Sequence, residues 1–329
     1  MSSKTDKEMP PVQPPVCSVC GSPSRQLNEL SLLGLLECAT YRCTSCGLYF
    51  RYPLPAEKDI LRYYQSRCFR HADEIEKKMA EIQGNWIIRC LRENDIGLDA
   101  VHYREFGAGR GWLVSFMQKQ GLRSAVGYEP DNKSATWGRE TFQIDLREGF
   151  ITEAMEELSA HSLPGLKMLS LVHVLEHLHA PLDVLSSFQK RNGSSCLFVE
   201  VPDAKREGPV MELDTFAQSS MGQHFWSFTE ESLRILLNKA GFFIVASQED
   251  GDPCFWNNTL KTLRIWKGIT EQCDEWQQNQ FNIKHAALSL LKLSGQCFIA
   301  GGAMRMQRLL RHNYNRLDLP VIRMFAKAE

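Results

Sequence analysis

A glycine-rich loop between a predicted strand and a predicted helix restricts the fold of this chain more than any other feature. The loop lies in YREFGAGRGW, residues 103–112, and the segment WLVSFMQKQG that follows it has helical spacing. Glycines at alternate positions allow a tight turn and let a ligand come close to the backbone. From about residue 101 onward, short apolar runs alternate with amphipathic segments. This alternation predicts an α/β fold in which helices connect parallel strands.

The chain divides into segments of different texture. The predicted strands are VHYREF (101–106), SAVGYE (124–129), LKMLSLV (166–172), SCLFVEV (195–201), FFIVAS (242–247) and the final LPVIRMFAKAE. In SFTEESLRILLNKAGF, Ser227 is predicted to cap a helix, Glu230 to complete a capping box and Gly241 to end the helix. We predict a disordered tail (1–16), a cysteine module (17–52), a helical linker or lid (53–100), the α/β core (101–253), a helical insertion (254–316) and a last core strand (317–329).

Two acidic residues accompany the glycine loop. Glu105 precedes the loop, and Glu129 ends the next predicted strand, 22 residues beyond Gly107. A carboxylate in the position of Glu129 can accept both ribose hydroxyls of a nucleoside. The loop reads E-x-G-x-G-x-G, not G-x-G-x-x-G, and the charge of Glu105 repels a pyrophosphate but attracts an ammonium group. These residues favour S-adenosylmethionine over NAD as cofactor; the alternative is that the glycines serve only the turn.

Two paired-cysteine motifs frame the amino-terminal module. Cys17-x2-Cys20 and Cys43-x2-Cys46 are separated by 22 residues, and a glycine follows each pair. Each such turn directs two thiolates at one ion, and glycine tolerates the backbone conformation after it. Four thiolates fill a tetrahedral zinc site and leave no position for water, so the predicted zinc is structural. A redox CxxC explains less, because two matched pairs are present.

The net charge and the composition of the chain indicate which kinds of partner and which location to expect. The 38 Lys and Arg residues nearly balance 39 Asp and Glu residues, for a net charge of −1. Neither a nucleic acid nor an anionic membrane surface is therefore predicted as a partner. The first 16 residues lack the apolar core of a signal peptide, and the apolar stretch 286–304 is interrupted by Lys292 and Gln296. We expect a cytoplasmic protein with a small-molecule substrate and reduced cysteines.

The motifs together resemble class I S-adenosylmethionine-dependent methyltransferases. In particular, the chain is similar to sugar C-methyltransferase-like members with an N-terminal zinc module. The resemblance extends to about residue 250 and rests on the four cysteines followed by GLYFRYPLP, and on EFGAGRGW, GYEPD, LVHVLEHLHAPLDVL, FVEVPD and HFWSFTEESLRILLNKAGF. It implies a Rossmann-like seven-stranded sheet with a reversed last strand, which agrees with the strand predicted in LPVIRMFAKAE.

The resemblance also implies which residues bind the cofactor. The methionine part would be bound by Glu105, Gly107, Gly109 and Gly111, and the ribose by Glu129. The adenine would be bordered by Gly149 and Phe150, and His173 would lie where the fourth strand meets the cofactor.

Histidines in HVLEHLHAP and MGQHFWSF are the candidates for chemistry. Both segments are predicted beyond the carboxyl ends of strands, where ligands bind in open α/β sheets. His224 and His177 are predicted to act as base or substrate ligand, with Glu176 as an orienting partner. The resemblance supports this, because sugar C-methyltransferases with the same module use histidines in these segments. The alternative is that the histidines only pack or cap.

The predicted function is methylation of a small molecule, such as a nucleotide-linked sugar or a glycan precursor, at oxygen or carbon. Two other classes stay open. One is a zinc-knuckle binding module with a degenerate methyltransferase domain, and the other is a protein or RNA methyltransferase that uses the 254–316 insertion for docking. The near-neutral charge and the lack of a basic and aromatic stripe in residues 17–52 argue against a nucleic-acid module.

Overall fold

The computed structural model of the protein describes residues 14–32, 36–54, 56, 73–151, 155, 165–205, 224–251 and 320–328. The described strands are β1 (Ser24–Leu32), β2 (Leu36–Cys43), β3 (Tyr49–Tyr52), β4 (Val101–Phe106), β5 (Ser124–Glu129), β6 (Asp145–Glu148), β7 (Leu166–Val172), β8 (Ser195–Pro202), β9 (Trp226–Ser227), β10 (Phe243–Gly251) and β11 (Pro320–Ala328). The described α-helices are α1 (Asp73–Glu93), α2 (Trp112–Lys119), α3 (Asn132–Phe142), α4 (Pro181–Asn192) and α5 (Glu230–Lys239).

Seven strands form one sheet in the order β10-β11-β8-β7-β4-β5-β6. Strands β4 to β8 run parallel to one another, whereas β11 is antiparallel to both of its neighbours, β8 and β10. All of β4 and nearly all of β8 are buried, which explains why β8 is a nearly continuous apolar run rather than an alternating one. Strand β4 is buried although it carries His102, Arg104 and Glu105. The predicted fold class, an α/β sheet of seven strands with a reversed last strand, is confirmed.

A second, four-stranded sheet has the order β1-β2-β3-β9. Its strands are antiparallel, and β9, which is distant from the others in sequence, joins the sheet by pairing with β3. The Phe50 and Trp226 rings stack with centroids 6.2 Å apart, and the hydroxyl of Thr229 donates a hydrogen bond of 2.7 Å to the Cys46 carbonyl. The cysteine-bearing sheet therefore shares one apolar core with the segment that leads into α5.

The amino-terminal cap of α5 differs from its prediction. Thr229, not Ser227, is the N-cap, and its partner in the capping box is Ser232, not Glu230. Ser227 is unable to cap because its backbone belongs to β9 and pairs with Tyr49. At the other end, Gly241 follows the helix with φ of +90°, which confirms the predicted stop.

The strands predicted from residue 101 onward are confirmed, and β10 is longer than expected. The strands of the small sheet and β6 were not predicted, because they are short or carry polar residues such as Asp145 and Arg147. Helix α1 lies within the predicted helical linker and buries Trp86, Ile87 and Leu91. The predicted insertion 254–316 lies outside the described residues. None of the described helices is long and apolar enough to cross a membrane.

Candidate functional site

The residues predicted to bind the cofactor converge at one edge of the large sheet. The glycine loop follows β4, Glu129 ends β5, Gly149 and Phe150 follow β6, and His173 follows β7. These four strands are parallel neighbours, so their carboxyl ends meet at the same edge. A backbone hydrogen bond of 3.3 Å, from the Gly149 amide to the Glu129 carbonyl, joins the segment after β6 to the end of β5.

The three glycines of the loop serve different purposes. All have positive φ, with 62° at Gly107, 54° at Gly109 and 76° at Gly111. A Cβ at Gly107 would lie 2.6 Å from Val174 Cγ2, and one at Gly111 would lie 2.5 Å from Ile144 Cδ1. A Cβ at Gly109 would meet no atom within 4 Å. Packing therefore accounts for Gly107 and Gly111, whereas Gly109 faces open space that a ligand can enter.

Glu105 is a buried carboxyl at the end of β4, 4% exposed. Burial raises its pKa to about 8, the nearby charge of Glu129 raises it further, and the hydrogen bond of 3.1 Å from the Tyr103 hydroxyl opposes this rise. A buried carboxylate without a cationic partner is unfavourable. A positively charged group bound next to Glu105 would remove this penalty.

Backbone amides fix the carboxylate of Glu129. The Gly109 amide donates to Oε2 at 2.8 Å, and the Asp131 amide donates to Oε1 at 2.9 Å. Since each carboxylate oxygen has two lone pairs, both can accept a further hydrogen bond from a ligand. The side chain is thus held in one orientation beside the open face of Gly109.

His173 connects the cofactor edge to a buried polar network. Its backbone adopts φ of +52°, and its amide donates to the Glu200 carbonyl at 2.9 Å. The imidazole Nδ1 lies 3.5 Å from Glu176 Oε1, and Nε2 lies 3.4 Å from Glu200 Oε1. Burial opposes a charge on the ring, but the two carboxylates raise the pKa of His173 well above its usual value. Both carboxylates therefore favour the protonated form of the ring.

Glu200 in turn accepts hydrogen bonds from a helix and from the neighbouring strand of the sheet. Gln83 of α1 donates to Oε1 at 2.6 Å, and Arg323 of β11 donates to Oε2. Both Glu200 and Arg323 are at most 1% exposed. Their pairing satisfies two charges that would otherwise be very costly to bury.

Glu176, His177 and His224 form a second cluster next to His173. Glu176 and His177 belong to the short 3-10 helix Leu175–His177, and His224 directly precedes Phe225, whose amide donates to the Glu176 carbonyl at 2.9 Å. The His177 and His224 rings meet edge to face with centroids 4.6 Å apart. Burial works against the charge of Glu176, but the three neighbouring histidines lower its pKa to about 2. The structure thus brings all three predicted catalytic candidates together.

The four cysteines form a compact cluster at the turn before β1 and at the turn between β2 and β3. Their sulfur atoms all lie within 4.8 Å of one another, with Cys17 to Cys46 at 3.7 Å and Cys20 to Cys43 at 3.3 Å. The glycines after each pair, Gly21 and Gly47, have φ of +81° and +70°. The Ser45 amide points at the Cys43 sulfur at 3.4 Å, which is the kind of contact that orients a thiolate ligand.

The four-cysteine cluster fits a tetrahedral zinc ion. Zinc–sulfur bonds of about 2.3 Å place the sulfurs of a four-thiolate site about 3.8 Å apart, close to the separations in this cluster. All four are free thiols. The Cys46 thiol lowers the pKa of Cys17 to about 5, while Cys17 raises that of Cys46. Such a pair holds one proton between two sulfurs, and a cation can replace it.

Comparison with known families decides the class of the α/β core. Residues 103–247 match the family model described as a methyltransferase domain. Residues 103–247 are therefore assigned to a methyltransferase domain. The prediction of a methyltransferase enzyme is confirmed, whereas the finer likeness to sugar C-methyltransferases with a zinc module stays a prediction. No curated protein sequence matches the chain.

Solved structures of methyltransferases resemble the chain at low identity. The plantazolicin methyltransferase BpumL in complex with SAH is 11% identical, covering 84% of this chain and 92% of its own, with a TM-score of 0.46. The magnesium protoporphyrin IX methyltransferase from Synechocystis PCC 6803 with bound SAM is 11% identical, over 84% and 99%, with a TM-score of 0.43. A SAM-dependent methyltransferase from Archaeoglobus fulgidus is 15% identical, over 74% and 94%, with a TM-score of 0.41.

The sequence analysis missed the residues that support the methyltransferase domain's His173. Glu200, Gln83 and Arg323 carry no assigned role there, although each is buried against the site. A signal was present: the predicted strand SCLFVEV contains one charged residue, Glu200, and the apolar part of the predicted strand LPVIRMFAKAE contains Arg323. A lone charge in a buried strand requires a partner of opposite charge, and the two strands supply one each.

Proposed function

We propose that the protein is an S-adenosylmethionine-dependent methyltransferase that acts on a small molecule. The observation that carries this proposal is the pair of buried carboxyls, Glu105 and Glu129, beside the open face of Gly109. S-Adenosylmethionine offers an ammonium group and a ribose diol at its two ends. One buried carboxyl that has no cation against it among the described residues, and one carboxylate oriented by two backbone amides, suit these two groups.

The two ends of the cofactor fit different parts of the edge. The ammonium pairs with Glu105, which removes the cost of a charge in that buried position. The ribose hydroxyls donate to Glu129, whose orientation is set by the Gly109 and Asp131 amides. Gly149 and Phe150, next to the Glu129 backbone, border the adenine. The methionine part runs past Gly109 toward His173.

The acceptor side of the site contains Glu176, His177 and His224. Methyl transfer requires an acceptor atom placed in line with the sulfonium methyl group, and positioning supplies much of the rate. A hydroxyl or carbon acceptor must also lose a proton. We propose that the two histidines hold the acceptor and handle this proton, with Glu176 as the orienting partner. The acceptor is a small molecule such as a nucleotide-linked sugar or a glycan precursor.

The four-cysteine cluster is proposed to hold a structural zinc ion through Cys17, Cys20, Cys43 and Cys46. The ion has no open position for substrate, so its contribution is to fix the small sheet. That sheet holds β9, and β9 closely follows His224 in the chain. The zinc thereby supports the acceptor side without taking part in chemistry.

Neither a nucleic acid nor a membrane is proposed as a partner of the enzyme. Net charge is −1, whereas a phosphate backbone requires a basic surface. A protein acceptor or an RNA acceptor would be an outcome of substrate screening, and a cytoplasmic location stays a prediction.

Calorimetric titration of the purified, zinc-replete protein tests the cofactor site. We expect micromolar binding of S-adenosylmethionine and S-adenosylhomocysteine and no binding of NAD. Glu129→Ala should weaken both adenosyl compounds at least tenfold, because the ribose loses its acceptor. Glu140→Ala is the matched control, since Glu140 is an exposed glutamate on α3, the helix that follows β5.

The titration has two informative outcomes. Adenosyl binding that Glu129→Ala removes and Glu140→Ala preserves supports the site and justifies screening acceptors by the release of S-adenosylhomocysteine. A folded protein that binds neither compound would overturn the proposal and favour a binding module with a degenerate domain.

A further inference from the structure

Glu176 is a buried carboxylate whose oxygens lack a hydrogen-bond donor among the described residues. The side chain is 0% exposed, and neither Oε1 nor Oε2 accepts a hydrogen bond there. The Nδ1 of His173 approaches Oε1 only to 3.5 Å, beyond normal hydrogen-bond length. The His173 ring also faces Glu200, so a further cation against Glu176 would lower the cost of burying this carboxylate.

His177 and His224 bring two further ligand groups to this carboxylate. One ring nitrogen of each histidine and one oxygen of Glu176 all lie within 4.8 Å of one another. The ligand atoms around an ion with bonds of about 2.0–2.2 Å lie about 3–3.5 Å apart. Side-chain shifts of roughly 1 Å would therefore bring these three atoms to bonding distance from one ion. Both histidines are half-buried, whereas Glu176 is fully buried.

The backbone holds the three groups in place from different directions. The His177 amide donates to the Val174 carbonyl at 2.9 Å, and the Phe225 amide donates to the Glu176 carbonyl at 2.9 Å. The Phe225 carbonyl in turn accepts from the Arg51 amide of β3 at 3.0 Å. Ligands held on such fixed backbones have little freedom to lose on binding an ion.

We infer that Glu176, His177 and His224 bind a divalent transition-metal ion, such as Zn²⁺, Co²⁺ or Fe²⁺, with open positions that face the acceptor. Two imidazoles and one carboxylate are a ligand set that suits these ions. Three protein ligands leave at least one position for water or substrate, unlike the closed four-cysteine site. The binding of the ion stands on this geometry alone, and only its use in methyl transfer rests on the proposed function.

The ion gives the cluster a definite role toward a hydroxyl acceptor. With His177 and His224 as ligands of the ion, the ion would replace the two histidines in handling the proton, because a hydroxyl acceptor bound to it would lose its proton to solvent more readily, as metal-bound water does. The acceptor oxygen then forms the bond to the methyl carbon, and the sulfonium sulfur takes the electron pair of the broken sulfur–carbon bond. The products are the methyl ether and S-adenosylhomocysteine, and no oxidant or reductant is consumed.

Titration of the zinc-replete protein with Co²⁺ tests the inference. We expect one further ion per chain by calorimetry, with visible absorption of bound Co²⁺ but no thiolate-to-cobalt charge-transfer band. The absence of that band shows that Co²⁺ has not replaced zinc at the cysteines. Glu176→Gln and His177→Ala should each weaken the binding of this ion at least tenfold. His179→Ala is the matched control, because His179 is exposed two residues away and should leave the affinity unchanged.

The outcomes separate this inference from the proposed function. Two variants guard against a folding defect in one of them, and S-adenosylhomocysteine is titrated into every sample. Binding of S-adenosylhomocysteine without a further Co²⁺ ion would overturn the metal site only. Uptake of Co²⁺ that both Glu176→Gln and His177→Ala leave unchanged would also overturn it. Uptake of Co²⁺ without adenosyl binding would instead overturn the proposed cofactor site.

Discussion

Glu200 and Arg323 lie directly opposite each other on the antiparallel strands β8 and β11, and the Arg323 guanidinium donates a hydrogen bond to the Glu200 carboxylate. The same carboxylate accepts from Gln83 and faces His173. One buried acidic group thus connects the last described strand, the first described helix and the loop that follows β7. The position of His173 depends on elements that are distant in the chain.

Breaking this pair should destabilise the fold strongly. Arg323→Met leaves a buried carboxylate short of its main cation, and we expect a loss of about 3–5 kcal/mol in the free energy of unfolding. Chemical denaturation monitored by circular dichroism measures the loss. Burial opposes the charge of Glu200, but His173 and Arg323 lower its pKa, so the stabilisation is present at neutral pH and is lost as the pH falls through the folded value.

Lys205→Ala supplies the control for the buried pair. Lys205 lies 2.6 Å from Glu249, but both side chains are exposed, and such pairs contribute about 0–1 kcal/mol. A loss for Arg323→Met as small as the loss for Lys205→Ala would contradict the prediction.

Gly109→Ala should impair cofactor binding more than folding. The position has φ of +54° and open space before it, so the methyl group meets the ligand and not the protein. We expect S-adenosylhomocysteine to bind at least tenfold more weakly. Gly121→Ala is matched to it, because Gly121 also has positive φ and nothing within 4 Å of a Cβ. Both variants should lose about 1–2 kcal/mol of stability through the left-handed backbone, and only Gly109→Ala should lose affinity. Equal affinities in calorimetry would refute the assignment.

The affinity for S-adenosylhomocysteine should rise with pH through the titration of Glu105. Because burial raises the pKa of Glu105 to about 8, the group is mostly protonated at pH 6 to 7, and the ligand's ammonium must displace that proton. The affinity should increase by at most about tenfold per pH unit and level off above pH 8, since one proton is linked to binding. Calorimetry between pH 6 and 9 measures this slope. In Glu105→Gln the contribution of this group should disappear, and an unchanged slope would assign the pH dependence to another group.

Removal of the metal from the four-cysteine cluster should unfold the small sheet. Cys46→Ser takes away one thiolate of the cluster, and loss of a structural metal belongs among the largest single effects, above about 4 kcal/mol. Thermal unfolding and the fluorescence of Trp226 report the change, because Trp226 is buried where β9 meets β3. Cys90→Ala is the control, since Cys90 is a buried cysteine of α1 outside the cluster. After refolding with Co²⁺, the thiolate charge-transfer band should appear in Cys90→Ala and be absent in Cys46→Ser; its presence in both would contradict a four-cysteine site.

The large sheet was predictable because its strands are buried on both faces. Runs such as LKMLSLV and SCLFVEV then contain few charged residues and stand out from the helices between them. The short strand β6 carries three charged residues in four positions, so its sequence resembles a loop. The capping error at α5 has a similar cause. Ser227 and Thr229 are both good caps by type, and only the pairing of Ser227 with Tyr49 excludes the first.

Within the site, residues in local motifs could be predicted and residues joined across the chain could not. The glycine loop and Glu129 follow from spacing alone, because a strand, a turn and a helix place them. The meeting of His177 with His224 depends on a hydrogen bond between Phe225 and Glu176, which no local pattern encodes. The contact of Gln83 with Glu200 joins residues 117 positions apart. Sequence spacing carries no information about such contacts unless both partners stand out as buried charges.

Strand β11 lies between β8 and β10 although it follows both in the chain. During vectorial synthesis on the ribosome, β10 therefore has no strand to pair with, and β8 has one unpaired edge, until residues 320–328 emerge. Open strand edges recruit other chains. The nascent protein passes through a long interval in which its central sheet is incomplete, and the yield of folded protein should depend on chaperone supply during translation of residues 252–319.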